Sequence, residues 1–266
     1  MSAFVSREGA NFGGGAIYTH SNNNVTLSGT TFTNNSVVNQ KTGTTTDDRS
    51  YGDSGGGAIA IMADESNSNL ILQNTNLFSG NSATIAYTSN TTFGNGGGAI
   101  AIVTTATNAI STLEMDPTSN NTFSGNYVKL DAARTYGTGG GASGGGAIYG
   151  SSQVVVKIDG TNDFSGNYVL YENTGRLAYS GSYNSTASVG GGAICSANRR
   201  YDTTEATDKL FIRGNNTFTD NYVHNIYGTT VPSEVVSGGA IYGEEIRFYG
   251  NGSVATFTGN HTPFRQ

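Results

Sequence analysis

One string recurs too regularly to be accidental. Gly-Gly-Ala-Ile appears six times, with its alanines at Ala16, Ala58, Ala99, Ala147, Ala193 and Ala240, spaced by 42, 41, 48, 46 and 47 residues. The first copy is Gly14, Gly15, Ala16 and Ile17. Between the copies runs a second motif, Phe-x-x-Asn, at Phe32/Asn35, Phe78/Asn81, Phe123/Asn126, Phe164/Asn167, Phe218/Asn221 and Phe257/Asn260. The two motifs alternate without exception. A period of this length decides architecture ahead of any local signal, because each unit buries its apolar face only against its neighbours.

Each unit, beginning near residues 13, 55, 96, 144, 190 and 238, holds Gly-Gly-Ala-Ile, a polar turn and a short alternating run before Phe-x-x-Asn. Val25-Thr26-Leu27-Ser28-Gly29 and Val154-Val155-Val156-Lys157-Ile158 show the period of two that marks a strand. No segment carries a helical period; the nearest, 108–116, is stopped by Pro117. Strands this short make a sheet only by stacking unit on unit, about 4.8 Å apart, so the chain is predicted to be one all-β domain, a parallel β-solenoid (β-helix). One coil per unit with a projecting insert is expected, the alternative being two coils of about 22 residues. In that frame the glycine pairs are expected to turn the backbone with positive φ, where a side chain would clash. The small Ala beside the large Ile fits a narrow interior, the phenylalanines stack, and the asparagines form an amide ladder.

Low charge (12%) and 39 glycines would suit disorder, but 15 Tyr and 12 Phe placed at regular positions are the opposite of a disordered composition. A net charge of −6 with Arg199-Arg200 as the only adjacent basic pair speaks against nucleic-acid binding. One cysteine, Cys195, excludes an internal disulfide framework, and no Cys/His spacing suggests zinc. Following Ala193-Ile194 where other units have Tyr149, Tyr242 or Ala60, it reads as a substitution in the wall or core. No apolar run approaches the ~18 residues of a spanning helix. The opening Met1-Ser2-Ala3-Phe4-Val5 lacks the basic and apolar regions of a signal peptide, so a removed signal or an excised fragment is expected.

The alternation of Gly-Gly-Ala-Ile with Phe-x-x-Asn, over Gly13 to Asn260, resembles the repeat of the polymorphic membrane proteins of chlamydiae. Related repeats occur in other bacterial and archaeal surface adhesins. The resemblance implies a right-handed β-helix, the passenger of an outer-membrane autotransporter, displayed outside the cell and serving adhesion. Within these 266 residues no C-terminal membrane barrel is expected, and the long inserts rich in Tyr and Thr depart from the pattern.

The inserts span Val37–Ser54, Ser82–Asn95, Tyr127–Ser143, Tyr168–Val189 and Tyr222–Val236. They fall at one point of the unit, so they are expected to project from one side, where loops on a rigid scaffold commonly bind. Tyr51, Tyr87, Tyr136, Tyr171, Tyr179, Tyr183 and Tyr227 are their candidate contact residues, for a surface glycan or a protein receptor. The plainer reading is that the inserts cover the sheet. Acidic pairs at Asp47-Asp48, Asp64-Glu65 and Glu244-Glu245 would suit a polysaccharide-acting enzyme only if they converged. No carboxylate is expected at the same position of neighbouring units, so they read as solvated turn charges. His20, His224 and His261 show no ligand spacing, and the glycine run 139–146 lacks the Lys-Ser/Thr of a phosphate loop. The Asn-x-Ser/Thr sites at Asn24, Asn34, Asn90, Asn120, Asn184, Asn215, Asn251 and Asn260 are expected from composition alone.

No catalytic, cofactor or metal residue is therefore assigned, and an enzyme is the less favoured reading. The expectation is a secreted or cell-surface structural and adhesive module. A second reading is a filament subunit: joining the end of one copy to the start of another completes a unit of 42 residues, within the observed spacings. Neither end shows a cap, a helix or a charged edge strand in the sequence.

Overall fold

The structure is a computed structural model describing residues 5–7, 10–20, 22–41, 54–63, 66–87, 94–104, 109–132, 142–151, 153–173, 188–196, 209–227, 235–243, 245–262 and 264–265. Its third coil shows the plan. Gly94–Gly97, Ile100–Thr104, Ser111–Met115, Asn120–Ser124 and Tyr127–Ala132 follow one another around the coil. Each pairs in parallel with its equivalent in the coils before and after. The result is five sheets, one per position, four of six strands and one of seven. Phe32 lies opposite Phe78, and Phe78 opposite Phe123, so one repeat makes one coil and the two-coil alternative is excluded. Among the described residues no helix occurs, and none is long and apolar enough to cross a membrane.

The pattern of each strand follows from what lies on its two faces. In the third sheet, Ser111–Met115 alternates strictly, with Leu113 and Met115 inward and Thr112 and Glu114 outward. Its inward column runs Val25, Leu70, Leu113, Val156, Leu210 and Ile246. The second sheet does not alternate: Ile59–Ala63 and Ile100–Thr104 are buried throughout, as their near-continuous apolar runs require. There Ile59, Ile100, Ile148 and Ile194 face the main core, while Ala60, Ala101, Tyr149 and Cys195 form a second buried column on the other face. Cys195 thus takes the wall position read from the sequence. The fourth sheet contributes the phenylalanines, whose centroids are 4.7–5.0 Å apart with rings near parallel.

The glycines do something other than expected. None in the Gly-Gly-Ala-Ile copies has positive φ. They are required because backbone approaches backbone. A Cβ on Gly145 would collide with the carbonyl oxygen of Ile148, and one on Gly146 with the Gly192 carbonyl and the Tyr168 amide. The same contact recurs at Gly57, Gly98 and Gly192, always against the residue following a Phe-x-x-Asn asparagine. The two motifs therefore meet across the coil and pinch it in two. One lobe is the main core of the second, third and fourth sheets. The smaller holds Val37, Ala83, Ile85, Val128, Val169, Tyr171 and Val223, packed from the fifth sheet onto the glycine backbone of the first. Positive φ appears instead at the third position of Phe-x-x-Asn, at Asn34, Gly80, Gly125, Gly166, Asp220 and Gly259. Only Gly, Asn and Asp occupy it, the residues that tolerate the left-handed region.

Two further expectations are corrected. The inserts do not begin at their sequence boundaries, because Ser36–Lys41, Ser82–Tyr87, Tyr127–Ala132, Tyr168–Asn173 and Tyr222–Tyr227 are the strands of the fifth sheet. Nor is the N-terminal end bare. Val5–Arg7 pairs antiparallel with Ala10–Gly14 and occupies the outer edge of the first sheet. Phe32 is 7% exposed although one ring stacks on it, whereas Phe257, at the other end, is 47% exposed.

Two stability predictions follow from these positions. Phe123→Ala leaves a void inside a closed stack and is expected to cost about 3–5 kcal/mol in denaturant unfolding. Phe257→Ala, at the open end, should cost well under half as much; equal losses would mean that the stack is not a continuous core. For the glycines, Gly166→Ala meets open space and carries only the left-handed penalty of about 1–2 kcal/mol. Gly146→Ala must push two backbones apart and should prevent cooperative folding, a contrast that circular dichroism and urea titration would read directly.

Candidate binding edge and its ladders

At the corner between the fourth and fifth sheets, Phe-x-x-Asn builds a buried amide ladder. The Oδ1 of Asn81 accepts from the backbone N–H of Asn35 at 3.0 Å and from its Nδ2 at 2.9 Å. The Nδ2 of Asn81 donates to the Phe32 carbonyl and to Asn126 Oδ1, each at 2.9 Å. Asn126, Asn167 and Asn221 repeat the arrangement down to Asn260. Every interior side chain thus uses both donor hydrogens and both acceptor sites, the full capacity of an amide.

A second ladder lies outside both sequence motifs. Asn76, Asn121, Asn162 and Asn216 link through Nδ2-to-Oδ1 bonds of 2.8–2.9 Å at the turn between the third and fourth sheets. Their remaining hydrogens close that turn on Gln73 O, Ser119 Oγ, Asp159 O and Arg213 O. The signal was present, since Asn stands two residues before Phe in four of the six units. A third column also follows Phe-x-x-Asn: Tyr127, Tyr168 and Tyr222 stack at 4.9 Å and His261 continues at 5.4 Å. The tyrosines are half-buried and His261 is exposed, and together they form a polar-tipped ridge where the fifth sheet begins.

Of the candidate contact tyrosines, Tyr171 is not available to a ligand: it is buried in the smaller core beside Val169 and Val223. Its position, the second inward residue of its fifth-sheet strand after Val169, explains this, since strand alternation turns it inside. Tyr87 and Tyr227 end fifth-sheet strands and so stand at the roots of the inserts. Tyr51, Tyr136, Tyr179 and Tyr183 lie outside the described residues. The roots themselves are ordered. Lys41, Tyr87 and Ala132 are register partners where segments leave, and Ser54, Asn95 and Ser143 where they re-enter. The inserts therefore depart from and return to one edge of the solenoid.

The charged groups are dispersed. Asp47, Asp48, Asp64, Glu65 and Glu244 lie outside the described residues, and Glu245 pairs with Arg247. Glu114 binds Lys157 at 3.1 Å on the outer face of the third sheet. Asp159 is buried but satisfied, receiving the Arg213 guanidinium and the Gly160 N–H at 2.9 Å. That carboxylate in turn holds the Arg213 guanidinium above its ordinary range. Asp131 and Glu172, contrary to the sequence reading, do share one register position in adjacent coils, flanked by Ala86 and Ile226. Among the described residues no group of three or more His, Cys, Asp or Glu is placed to hold a metal. His20, His224 and His261 sit on the second sheet, on the fifth sheet and at the end of the tyrosine column.

The tyrosine column has a pH signature. Burial pushes the Tyr168 phenol above its ordinary value, with Tyr222 and Tyr127 adding to the shift, and burial does the same to Tyr222. A raised phenol favours the folded state while protonated, so this contribution is intact below about pH 10 and is lost as pH rises through the folded values. Between about pH 8 and about pH 11 the parent should lose more unfolding free energy than the Tyr168→Phe/Tyr222→Phe variant. Equal losses, with absorbance titration showing no late-ionising phenols, would refute the assignment.

No family model, no curated protein and no solved structure matches the chain.

Proposed function

We propose that the chain is an extracellular or cell-surface structural module that adheres to glycans or proteins of another surface through segments rooted along one edge of the solenoid. The observation that carries this reading is the registration of those roots. Strand ends such as Lys41, Tyr87 and Ala132 recur coil after coil, so each variable segment starts from an equivalent, rigidly held point. Several weak contacts mounted at about 4.8 Å steps act together only if the scaffold does not flex, and three side-chain columns brace this one. The resemblance of the repeat to that of the chlamydial polymorphic membrane proteins supports a position outside the cell. A polysaccharide-acting enzyme is the less favoured reading: Glu114, Asp159 and Glu245 are each paired with a cation, which leaves the register neighbours Asp131 and Glu172 as the carboxylates an activity assay must address.

The test replaces segments 88–93, 133–141 and 174–187 by short turns, leaving every sheet strand in place. The parent should bind components of a glycan array or an intact cell surface. The shortened variant should keep the β-sheet circular dichroism and unfolding midpoint but lose binding by at least about tenfold, as expected when several contacts act jointly. Undiminished binding by the shortened chain, or reducing-sugar release by the parent, would overturn the reading.

A further inference from the structure

We propose that the solenoid stacks head to tail, the last coil of one copy receiving the first coil of a second, with the strand Val5–Arg7 as a cap that must be displaced first. This does not rest on the adhesive reading. Among the described residues nothing packs over the outer side of the last coil, and that side is apolar. Of the six exposed large hydrophobic residues among those described, Phe248, Tyr249, Val254 and Phe257 all belong to it. A pocket there is lined by Gly239, Ala240, Ile241, Phe248, Phe257 and Asn260.

The amide ladder says what fits. Asn260 accepts from Asn221 and donates to the Phe218 carbonyl at 2.7 Å. Its backbone N–H and second Nδ2 hydrogen have no partner among the described residues, and the Phe257 carbonyl awaits the donor that Asn260 supplies to Phe218. The end therefore asks for one amide whose oxygen accepts twice and whose nitrogen donates once. Asn35 is that amide: it donates to Asn81, but its own Oδ1 and second Nδ2 hydrogen are unused among the described residues. Docked in the register of the other coils, Phe257 would meet Phe32, Ile246 would meet Val25 and Ile241 would meet Ile17, each extending its own column. Two last coils placed end to end would set donors against donors. The polarity of the ladder thus selects a second copy's first coil over a tail-to-tail dimer, and a contact between unlike ends propagates.

One of the five sheets opposes the joint. Val5–Arg7 holds the edge of Ala10–Gly14, the edge that Val235–Gly238 of a neighbour would need. On the other four sheets the first-coil strands Ile17–His20, Asn24–Ser28, Thr31–Thr33 and Ser36–Lys41 stand at the edge. The antiparallel strand therefore competes with assembly at one sheet while assembly gains at all five, which makes it a gate rather than a bar.

The experiment compares the full chain with a variant lacking residues 1–9, over a concentration series read by sedimentation velocity and electron microscopy. Removing the competing strand should lower the concentration for assembly by about tenfold and give rods of constant width that lengthen with concentration. Ser6→Pro, which weakens the antiparallel pair without shortening the chain, should act in the same direction and serves if the truncated chain does not fold. Phe257→Glu, at a half-exposed ring, should keep the monomer's circular dichroism with a modestly lowered unfolding midpoint, yet block growth in every background. Strictly monomeric truncated and Ser6→Pro chains, assembly that stops at a dimer, or growth unaffected by Phe257→Glu would each overturn the proposal. None of these readouts involves a receptor, so failure here is distinct from failure of the adhesive reading.

Discussion

The buried asparagine at the end of Phe-x-x-Asn is the constraint on which the rest depends. An amide left unpaired in an apolar interior costs about 1–3 kcal/mol per group, and each interior asparagine here is paired only because identical residues lie directly above and below. A slip of one residue in any coil would strand two amides and turn the Phe column outward, since strand side chains alternate. The ladder therefore does more than add bonds. It makes the correct register far better than its neighbours, and the Phe stack, the glycine pinch and the smaller core are all placed by that register.

The glycine pinch shows why the two motifs travel together. Gly146 is excluded from carrying a side chain by Gly192 in the next coil and by Tyr168 immediately after Asn167. A coil with the asparagine but without the glycine could not close, and one with the glycine alone would leave a backbone gap with no partner. Alternation of the motifs is thus a steric requirement on each coil. The positive φ expected of the glycines is absent at this corner, and what they supply is absence of volume. The residues that need the left-handed region stand one place before the asparagine, where Asn34 and Asp220 substitute for Gly. That substitution pattern separates the two roles: Asn and Asp can replace glycine where φ is the demand, but nothing can where space is.

Columns that carry a named motif are legible in the sequence; the second Asn ladder and the Tyr127, Tyr168 and Tyr222 column repeat their letters too but stand outside Gly-Gly-Ala-Ile and Phe-x-x-Asn. The Phe stack and the Asn35-to-Asn260 ladder recur letter for letter and follow from the repeat. The second-sheet column of Ala60, Ala101, Tyr149 and Cys195 mixes sizes, and it is legible only through its fixed place after Ala-Ile. The fifth-sheet strands fall inside the expected inserts because strands such as Ser82–Tyr87 carry few large apolar residues. They need few, for the face they pack on is glycine backbone and the space between is small. Tyr171 departs from its expected place for the same reason: it sits in a strand, not a loop, and its place after Val169 turns it inward. The antiparallel strand Val5–Arg7 lies outside the repeat and so outside anything a repeat can teach. Tyr51, Tyr136, Tyr179 and Tyr183 gain nothing from periodicity either, since inserts of unequal length have no common register.

That inequality is itself informative about how such a scaffold accommodates change. Asn126 and Asn167 are 41 residues apart in the chain, and Asn167 and Asn221 are 54 apart, yet their ladder bonds are 2.9 and 3.0 Å. The extra residues leave no trace in the coil. Doubling a flexible loop costs only about 0.6 kcal/mol in closure entropy, less than one ladder bond to a buried amide contributes. Insert length and composition are therefore nearly free to vary while the coil is held, and the parts of the sequence that look least regular are those the fold leaves open to selection for contact with something else.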